Sequence, residues 1–237
     1  MFVLDKVVKK YGTVLAFEVA SCEISIDKFV FVMGPSGSGK STLLRLLSFV
    51  EPPDSGVVQL GIEGRKFSSF NKDHPWPQVT CVFQRQFLWP HLTLRQNIAL
   101  PLRMMAVADM DDRLREVNEL FDMSAFIDRF PNEVSGGQAQ RAALARALVL
   151  RPRLILIDEA HGGLDLEQQE ILNRHLVELR ATGVGLIVVT HSLEFARRYA
   201  DQIIVIEHGT ITDKGSQGVF DDPNSHFLQR ALGLNRG

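Results

Sequence analysis

A glycine-rich turn that follows an apolar run most constrains how this 237-residue chain can fold. Residues 34–41 read Gly-Pro-Ser-Gly-Ser-Gly-Lys-Ser. Residues 29–33 before them are all apolar, which predicts a strand covered on both faces, and residues 41–49 favour a helix. Glycines in such a turn let backbone N–H groups surround an anion, and the helix start adds a positive dipole end. The sequence therefore predicts a phosphate-binding loop at the carboxyl end of a strand.

Within this loop, the residue types divide between phosphate and metal. Lys40 is expected to reach the β- and γ-phosphates of a nucleotide, and the Ser41 hydroxyl to ligate Mg²⁺. A glycine-rich turn that only caps a helix is the alternative, and the full match with its flanking elements argues against it. The candidate nucleotide-binding residues are Gly34, Pro35, Ser36, Gly37, Ser38, Gly39, Lys40, Ser41 and Thr42.

A second apolar strand, over residues 154–157, ends in two carboxylates. Asp158 at the strand end can hold Mg²⁺, and Glu159 can act on an attacking water as a general base. Alone, such a strand end is often a solvated turn, but the phosphate loop upstream favours the nucleotide interpretation. Residues 186–190 predict another strand, which delivers His191 to the same sheet edge, near the γ-phosphate.

The chain alternates between β and α patterns around a helical block. Residues 2–31 alternate apolar and polar side chains, which predicts edge-type β-structure, whereas residues 93–150 are helical. Strands and helices alternate again from residue 154 onward. We therefore predict an α/β fold with a mainly parallel core sheet and an N-terminal antiparallel β subdomain. A helical subdomain at residues 87–151 is inserted between core segments 1–86 and 152–237.

Charge and composition exclude several classes of protein. The net charge of −2 gives no electrostatic case for a nucleic-acid binder, although it does not exclude local basic clusters. Cys22 and Cys81 lie far apart, which predicts buried thiols in a reducing compartment rather than a disulfide or metal site. The N-terminus has no signal-peptide pattern, and no apolar run approaches the ~18 residues of a membrane span. We expect a cytoplasmic protein whose transport pathway, if any, belongs to another chain.

A third element, Ser-Gly-Gly-Gln before an alanine-rich helix, lies upstream of the two-carboxylate strand. It offers the N–H groups of a helix start to an anion, with an ordinary capped helix as the alternative. In this order, the three elements resemble the ABC ATPase family over essentially the whole chain. The resemblance implies a P-loop NTPase (RecA-like) core, hydrolysis of ATP, and ATP and Mg²⁺ as cofactors. The residues that match the family's signature motif are Ser135, Gly136, Gly137 and Gln138.

The resemblance also assigns roles to single residues. Tyr11 matches an aromatic residue that stacks on adenine, with packing in the core as the alternative. Gln84 matches a glutamine that contacts Mg²⁺ and the attacking water. Asp165 lies in the loop that crosses the dimer interface, and His191 matches a switch histidine. The expected catalytic residues are thus Lys40, Gln84, Glu159 and His191, and the expected metal ligands are Ser41, Gln84 and Asp158.

The resemblance further implies partners. Two chains are expected to form a head-to-tail homodimer around two ATP molecules, each signature motif contacting the γ-phosphate bound by the other chain. The dimer opens after hydrolysis and is coupled to transmembrane permease subunits and a substrate-binding protein, with no nucleic acid. The docking surface is expected at residues 87–102, where Phe87, Leu88 and Trp89 either meet the permease or pack within the helical lobe.

The sequence departs from the family pattern at several positions. Ala160 replaces the usual proline after the glutamate, His161 and Gly162 occupy the following loop, and Val134 replaces a leucine before the signature. None of these changes removes a group that the chemistry requires. They affect the geometry expected of the loop.

The C-terminal part is similar to the polar amino-acid importer subgroup, notably at residues 195–201 and 220–223. The expected function is therefore ATP-driven import of polar amino acids, on the cytoplasmic face of the inner membrane. An ATPase of a non-importing complex for lipoprotein release, efflux or cell division is the alternative, with which residues 94–102 are compatible. A soluble relative acting on DNA or ribosomes is disfavoured by length and charge.

Overall fold

A computed structural model describes residues 1–71, 74–159 and 164–234. The sequence-based expectations for Ala160, His161 and Gly162, and for the first residue of the loop at 163–165, lie outside the described residues. Two compact units emerge, one formed by residues 1–76 and 185–237 (the first unit) and the other by residues 77–184 (the second unit). Within the described ranges, no helix combines the length and apolar character that a membrane span requires.

The elements alternate as an α/β chain should. The strands are β1 (Phe2–Tyr11), β2 (Val14–Ile24), β3 (Phe29–Met33), β4 (Ser55–Ile62), β5 (Arg65–Ser68), β6 (Val79–Val82), β7 (Leu154–Asp158), β8 (Gly185–Val189), β9 (Gln202–Glu207) and β10 (Thr210–Gly215). The helices are α1 (Lys40–Leu47), α2 (Leu94–Met104), α3 (Met110–Leu120), α4 (Gly136–Leu148), α5 (Leu166–Ala181), α6 (Leu193–Tyr199) and α7 (His226–Ala231).

The first unit contains a mixed sheet with strand order β5-β4-β1-β2-β10-β9-β3-β8. β1 pairs antiparallel with both β2 and β4, and β4 pairs antiparallel with β5. β3 pairs parallel with β8 and with β9. The predicted α/β class, with a parallel core and an N-terminal antiparallel part, is confirmed. The edge-type assignment of residues 2–31 is wrong, because alternation reports a half-covered face and not the position of a strand in the sheet.

The parallel strands of the first unit deliver two segments to one sheet edge. Every residue of β3 and β8 is buried, as their continuous apolar sequences predict. Val32 pairs with Val189, and the Thr190 N–H donates to the Val32 carbonyl at 3.2 Å. The loop at residues 34–39 and His191 therefore leave the sheet side by side, at the carboxyl ends of neighbouring strands.

The second unit contains the parallel pair of β6 and β7, together with α2 to α5. Side-chain caps define where its helices begin. Thr93 and Gln96 form a capping box at α2, and Asp165 accepts a hydrogen bond from the Gln168 N–H at the start of α5.

Of the two cysteines, Cys22 is buried and Cys81 in β6 is only partly buried, so the prediction of a buried thiol holds for Cys22 alone.

Candidate functional site

The loop between β3 and α1 leaves no room for side chains where it passes its neighbours. Gly34 has φ 143°, and a Cβ there would collide with the Ile206 carbonyl oxygen. Gly39 has φ 106°, and a Cβ there would collide with the Ala16 carbonyl oxygen. Both positions therefore require glycine, for conformation and for close backbone approach. The loop presents its own backbone to whatever it binds.

Polar groups converge on this loop. The buried Lys40 ammonium donates to the Gly34 carbonyl at 3.0 Å and to the Pro35 carbonyl at 2.7 Å. The Ser38 hydroxyl is buried and has no hydrogen-bond partner within the described residues. A Cβ on Gly37 would meet no atom within 4 Å, so the loop is open on that side. A cation, a hydroxyl that lacks an acceptor and a bare backbone turn fit a phosphate group.

Ser41 and Thr42 lie in the first turn of α1, directly after Lys40. Ser41 is half-buried and Thr42 is buried. A serine hydroxyl at the start of a helix beside a phosphate cradle would be a suitable ligand for the Mg²⁺ ion of a bound nucleotide. The residues present are thus compatible with a magnesium nucleotide.

His191 is exposed and follows the buried Thr190 at the end of β8. The Thr190 hydroxyl accepts a hydrogen bond from the Ser192 N–H at 3.0 Å, and the Ser192 hydroxyl caps α6. These two bonds fix the backbone on either side of His191. The first unit therefore holds the phosphate loop and this histidine at the same edge of its sheet.

Tyr11 lies at the end of β1 and keeps 45% of its surface exposed. Its hydroxyl donates to the Glu51 carboxylate at 2.6 Å. The alternative interpretation of Tyr11 as a core residue is therefore wrong, because the residue pairs with Val14 at the exposed end of β1 and its side chain reaches the surface. An exposed aromatic face is what stacking on a base requires.

The second unit places the two carboxylates and the glutamine at one sheet edge. Asp158 is buried at the end of β7, and Glu159 follows it with φ 47°. The Gln84 amide donates to the Glu159 carboxylate, with 3.0 Å between Nε2 and Oε2. This hydrogen bond leaves the other Glu159 oxygen, Oε1, outside the Gln84 contact.

The Ser-Gly-Gly-Gln element begins α4. The Ser135 hydroxyl accepts from the Gln138 N–H at 3.3 Å, and the Gln138 side chain accepts from the Ser135 N–H at 3.0 Å, which makes a capping box. Gly136 is exposed at the helix start, whereas Gly137 is buried. A Cβ on Gly137 would lie 2.9 Å from the Gln168 amide oxygen, so α4 packs closely on α5 at this point.

Asp165 has a local structural role, because its carboxylate accepts the Gln168 N–H at 2.8 Å and caps α5. The neighbouring Leu166 is 79% exposed, which is unusual for a leucine at a helix start. The described part of the chain therefore gives Asp165 a cap and leaves an apolar side chain on the surface beside it.

The segment after Gln84 carries exposed aromatic side chains. Phe87 is 60% exposed and Trp89 is 52% exposed, so both leave apolar area on the surface, although Phe87 also contacts the Phe83 ring and Trp89 the His91 ring. Leu88 is half-buried. Residues 85–89, with Pro131 and Ala139, line a cavity of about 420 Å³. The segment is a concave surface with aromatic walls.

Two side chains that the sequence analysis did not single out hold this segment. Arg146 of α4 donates to the Gln86 carbonyl at 2.8 Å and to the Phe87 carbonyl at 2.9 Å. Asn97 of α2 is fully buried, accepts from the Trp89 N–H at 2.7 Å and donates back to its carbonyl at 3.1 Å. A lone asparagine on the apolar face of a helix was the available signal.

Comparisons with known proteins agree with this geometry. Residues 17–162 match the family described as ABC transporter. The sulfate/thiosulfate import ATP-binding protein of Thermosynechococcus vestitus is 37% identical over 97% of this chain and 68% of its own length. The spermidine/putrescine import ATP-binding protein of Nitrosomonas eutropha is 36% identical over 97% of this chain and 63% of its own. The chain thus spans about two thirds of the length of these curated relatives.

A solved structure is similar over most of the chain. It is the dimeric, post-hydrolysis state of the ATP-binding cassette MJ0796, bound to ADP and Pi. The two chains are 32% identical with a TM-score of 0.80, over 92% of this chain and 99% of that one. The match covers both units of the chain, each with its candidate residues. The chain therefore belongs to the ABC transporter family, as an ABC-type ATP hydrolase whose cofactors are ATP and Mg²⁺.

Proposed function

We propose that this chain powers import through a membrane permease, by ATP-driven closure of a head-to-tail homodimer. The observation that carries the proposal is the hydrogen bond between Gln84 and Glu159 next to the buried Asp158. The bond joins a sensor side chain to a base, and the adjacent Asp158 supplies a carboxylate for the metal at the same sheet edge, as phosphoryl transfer to water requires. The dimeric state of the MJ0796 cassette supports the dimer.

In the first unit, the phosphate loop binds the nucleotide. Lys40, now held on the Gly34 and Pro35 carbonyls, binds the β- and γ-phosphates, and Ser41 contributes its hydroxyl to Mg²⁺. The glycines and serines of the loop, with Thr42, donate backbone and hydroxyl hydrogen bonds to the phosphate oxygens. His191 stabilises the γ-phosphate, and Tyr11 stacks on adenine.

In the second unit, Asp158 binds Mg²⁺ and Glu159 takes a proton from the attacking water. Gln84 orients the Glu159 carboxylate and contacts the metal. The helix start at Ser135 to Gln138 binds the γ-phosphate held by the opposite chain, because the helix dipole and the N–H of the exposed Gly136, which the capping box does not use, favour an anion. Asp165 and the exposed Leu166 lie at the interface between the two chains.

Residues 85–89 form the permease docking surface. Phe87 and Trp89 supply the exposed apolar area that a permease helix can cover, and the adjoining cavity can accept an inserted side chain. The surface follows Gln84 directly in the chain, so docking is coupled to the residue that contacts Glu159. In this proposal, residues 87–151 form a helical subdomain that is inserted into the nucleotide-binding core. The helices α2, α3 and α4 within this range support that organisation.

Import is the direction that the relatives support. The two relatives named above are import ATP-binding proteins. A third relative, the Fe(3+) ions import ATP-binding protein of Mannheimia succiniciproducens, is 36% identical to this chain. Their cargoes are sulfate, polyamines and iron, and amino acids are not among them. We therefore propose a small charged solute as cargo, in place of the polar amino acids expected from the subgroup resemblance. The chain would act on the cytoplasmic face of the inner membrane, with a substrate-binding protein delivering the solute.

Affinity purification of the tagged chain from detergent-solubilised native membranes tests this proposal. Mass spectrometry should identify permease subunits in the eluate, together with a substrate-binding protein. The double variant Phe87→Glu, Trp89→Glu should lose the permease, because buried charges without partners oppose docking. Met104→Glu, at a residue that is 73% exposed outside the cavity lining, is the matched control and should retain it. Recovery of an efflux, lipoprotein-release or division complex would overturn the import proposal.

A further inference from the structure

The hydroxyl group of Tyr11 is held by hydrogen bonds to two neighbouring side chains. Its hydroxyl donates to Glu51 Oε2 at 2.6 Å, and Arg45 Nη1 lies within 3.4 Å of the same hydroxyl oxygen. The other Glu51 oxygen, Oε1, accepts from Arg45 Nη1 at 3.3 Å. The Glu51 N–H in turn donates to the Arg45 carbonyl at 3.3 Å. The tyrosine hydroxyl is thus one corner of a three-residue cluster.

A lysine covers one face of the same ring. The Lys9 ammonium lies over the Tyr11 ring, 5.7 Å from its centroid. It donates to the Pro52 carbonyl at 3.0 Å and lies 3.8 Å from the Asp54 carboxylate. The Lys9 side chain is itself mostly buried, with 12% of its surface exposed. Because the ammonium is anchored to the Pro52 carbonyl, it restricts how far the ring can rotate.

The cluster connects Tyr11 to the phosphate loop through a single helix. Arg45 belongs to α1, which begins at Lys40, and all of these residues lie in the first unit. The segment after Glu51 is also bound to β1, because the Asp54 carboxylate accepts from the Lys10 N–H at 2.6 Å. The position of the ring is thereby fixed relative to the helix that carries the phosphate-binding lysine.

We propose that Glu51, supported by Arg45 and Lys9, is a positioning residue for the nucleotide base. By holding the Tyr11 ring in one orientation, Glu51 pre-forms the platform on which adenine stacks. This inference rests on the proposed function, which gives Tyr11 the adenine contact. Its distinctive content is that Glu51 acts on the base alone, through Tyr11, and not on the phosphates.

The expected effect follows from preorganisation. A partly exposed aromatic side chain that is free to change rotamer must be ordered when the base stacks on it. Ordering one such side chain weakens binding about fivefold. Glu51→Ala should therefore weaken the binding of ADP about fivefold and leave the binding of inorganic pyrophosphate unchanged. Pyrophosphate is the matched probe because it offers the same phosphate groups without the base.

The experiment is calorimetric titration of the full chain with ADP and with pyrophosphate, each in the presence of Mg²⁺. The variants are Glu51→Ala, Tyr11→Ala and the two combined, with Glu23→Ala as a control at an exposed carboxylate of the same unit. Tyr11→Ala should weaken ADP binding more than Glu51→Ala does. In the Tyr11→Ala background, Glu51→Ala should cause no further loss, since no ring remains to be positioned.

The outcomes separate the inference from the function on which it rests. Equal losses for ADP and pyrophosphate in Glu51→Ala would overturn the inference, because they would mean that Glu51 supports the phosphate loop. Additive losses in the combined variant would overturn it as well. If Tyr11→Ala bound ADP with wild-type affinity, Tyr11 would not contact adenine, and the inference about Glu51 would be overturned. The proposal that the chain hydrolyses ATP would not be affected by that result. Failure of the wild-type chain to bind ADP would instead overturn the proposed function.

Discussion

The Gln84 amide donates to the Glu159 carboxylate at 3.0 Å, and the sheet register brings the two residues together. β6 and β7 are parallel with Val82 opposite Ile157, and each side chain lies two residues beyond its member of that pair. Glu159 has φ 47°, in the left-handed region that a glutamate seldom adopts. This turn gives Asp158 and Glu159 different directions, so neighbouring carboxylates can serve metal and water separately.

Replacing Glu159 with glutamine tests its role as the general base. The variant should bind ATP and lose at least about 100-fold in hydrolysis rate, because the amide cannot accept a proton from water. With ATP and Mg²⁺, it should accumulate as an ATP-bound dimer, detected by light scattering. Loss of a charge near the phosphates also favours closure of the dimer.

Glu170→Gln, at an exposed position of α5, is the control for that experiment. It removes a carboxylate from the same unit and should retain wild-type hydrolysis. A Glu159→Gln variant that hydrolyses ATP at the wild-type rate would exclude Glu159 as the base. One that stays monomeric with ATP would argue against the dimer.

Gly39→Ala tests whether the phosphate loop depends on close backbone approach. The added Cβ would collide with the Ala16 carbonyl oxygen, and φ 106° is strained for alanine. We expect the loss of detectable ATP binding in calorimetry, with the unit still folded by circular dichroism. Gly61→Ala is the control, because a Cβ at Gly61 would meet no atom within 4 Å. Unchanged ATP affinity in Gly39→Ala would contradict the geometry of the cradle.

Local features of this fold were predictable from sequence because their physical causes are local. The apolar run at Phe29–Met33, the glycine turn and the following helix are contiguous, so pattern and spacing indicate all three. The same holds for β7 and the carboxylates at its end. β5 and β10 were not identified, because each is short and partly exposed and pairs antiparallel with the strand just before it, a contact that leaves no periodic apolar pattern.

Contacts between distant segments were not predictable in this way. Arg146 binds carbonyls about 60 residues earlier in the chain, and Glu51 meets Tyr11 across 40 residues. Neither pairing leaves a periodic signal in one sequence. The partner atoms of Arg146 are backbone carbonyls, which every residue carries, and Glu51 and Tyr11 lie too far apart in the chain for a local pattern to relate them. The roles of Gln84, Ser135 and Asp165 were inferred from family resemblance, and their geometry emerged only with the tertiary fold.

Arg146 is expected to stabilise residues 85–89, which form the proposed permease docking surface. Burial lowers its pKa, and it spans the Gln86 and Phe87 carbonyls. Arg146→Ala removes both donors and should reduce the free energy of unfolding by about 2 kcal/mol, measured by urea denaturation. Hydrogen exchange at residues 85–89 should accelerate. Arg146→Lys, with a single ammonium, should restore part of the loss.

Arg115→Ala is the control for Arg146, because Arg115 is exposed on α3 and forms an ion pair with Asp112, which is exposed as well. Its effect on unfolding should be small, as for other surface ion pairs. If Arg146→Ala accelerates exchange uniformly over the second unit, and not first at residues 85–89, the arginine supports the general fold and not this segment.

His175 predicts how stability depends on pH. It lies buried in α5 against the Phe121 ring, 5.2 Å between centroids, with Nδ1 3.4 Å from the Glu178 carboxylate. Burial lowers the pKa of His175. The Glu178 carboxylate raises this pKa in part, whereas the Arg141 and Arg174 cations lower it further. The folded chain therefore binds fewer protons here than the unfolded chain does. Stability should fall as the pH drops below about 6.5, the ordinary pKa of histidine.

His175→Phe separates this histidine from the others in the chain. The new ring occupies a similar volume against Phe121 and does not titrate. Urea unfolding at pH 7.5, 6.5 and 5.5 should show a smaller loss of stability toward acid in His175→Phe than in the wild type. His74→Phe, at an exposed histidine, should keep the wild-type dependence. Equal slopes for the wild type and His175→Phe would mean that protonation of His175 does not oppose folding, because its buried ring would then carry the charge without penalty.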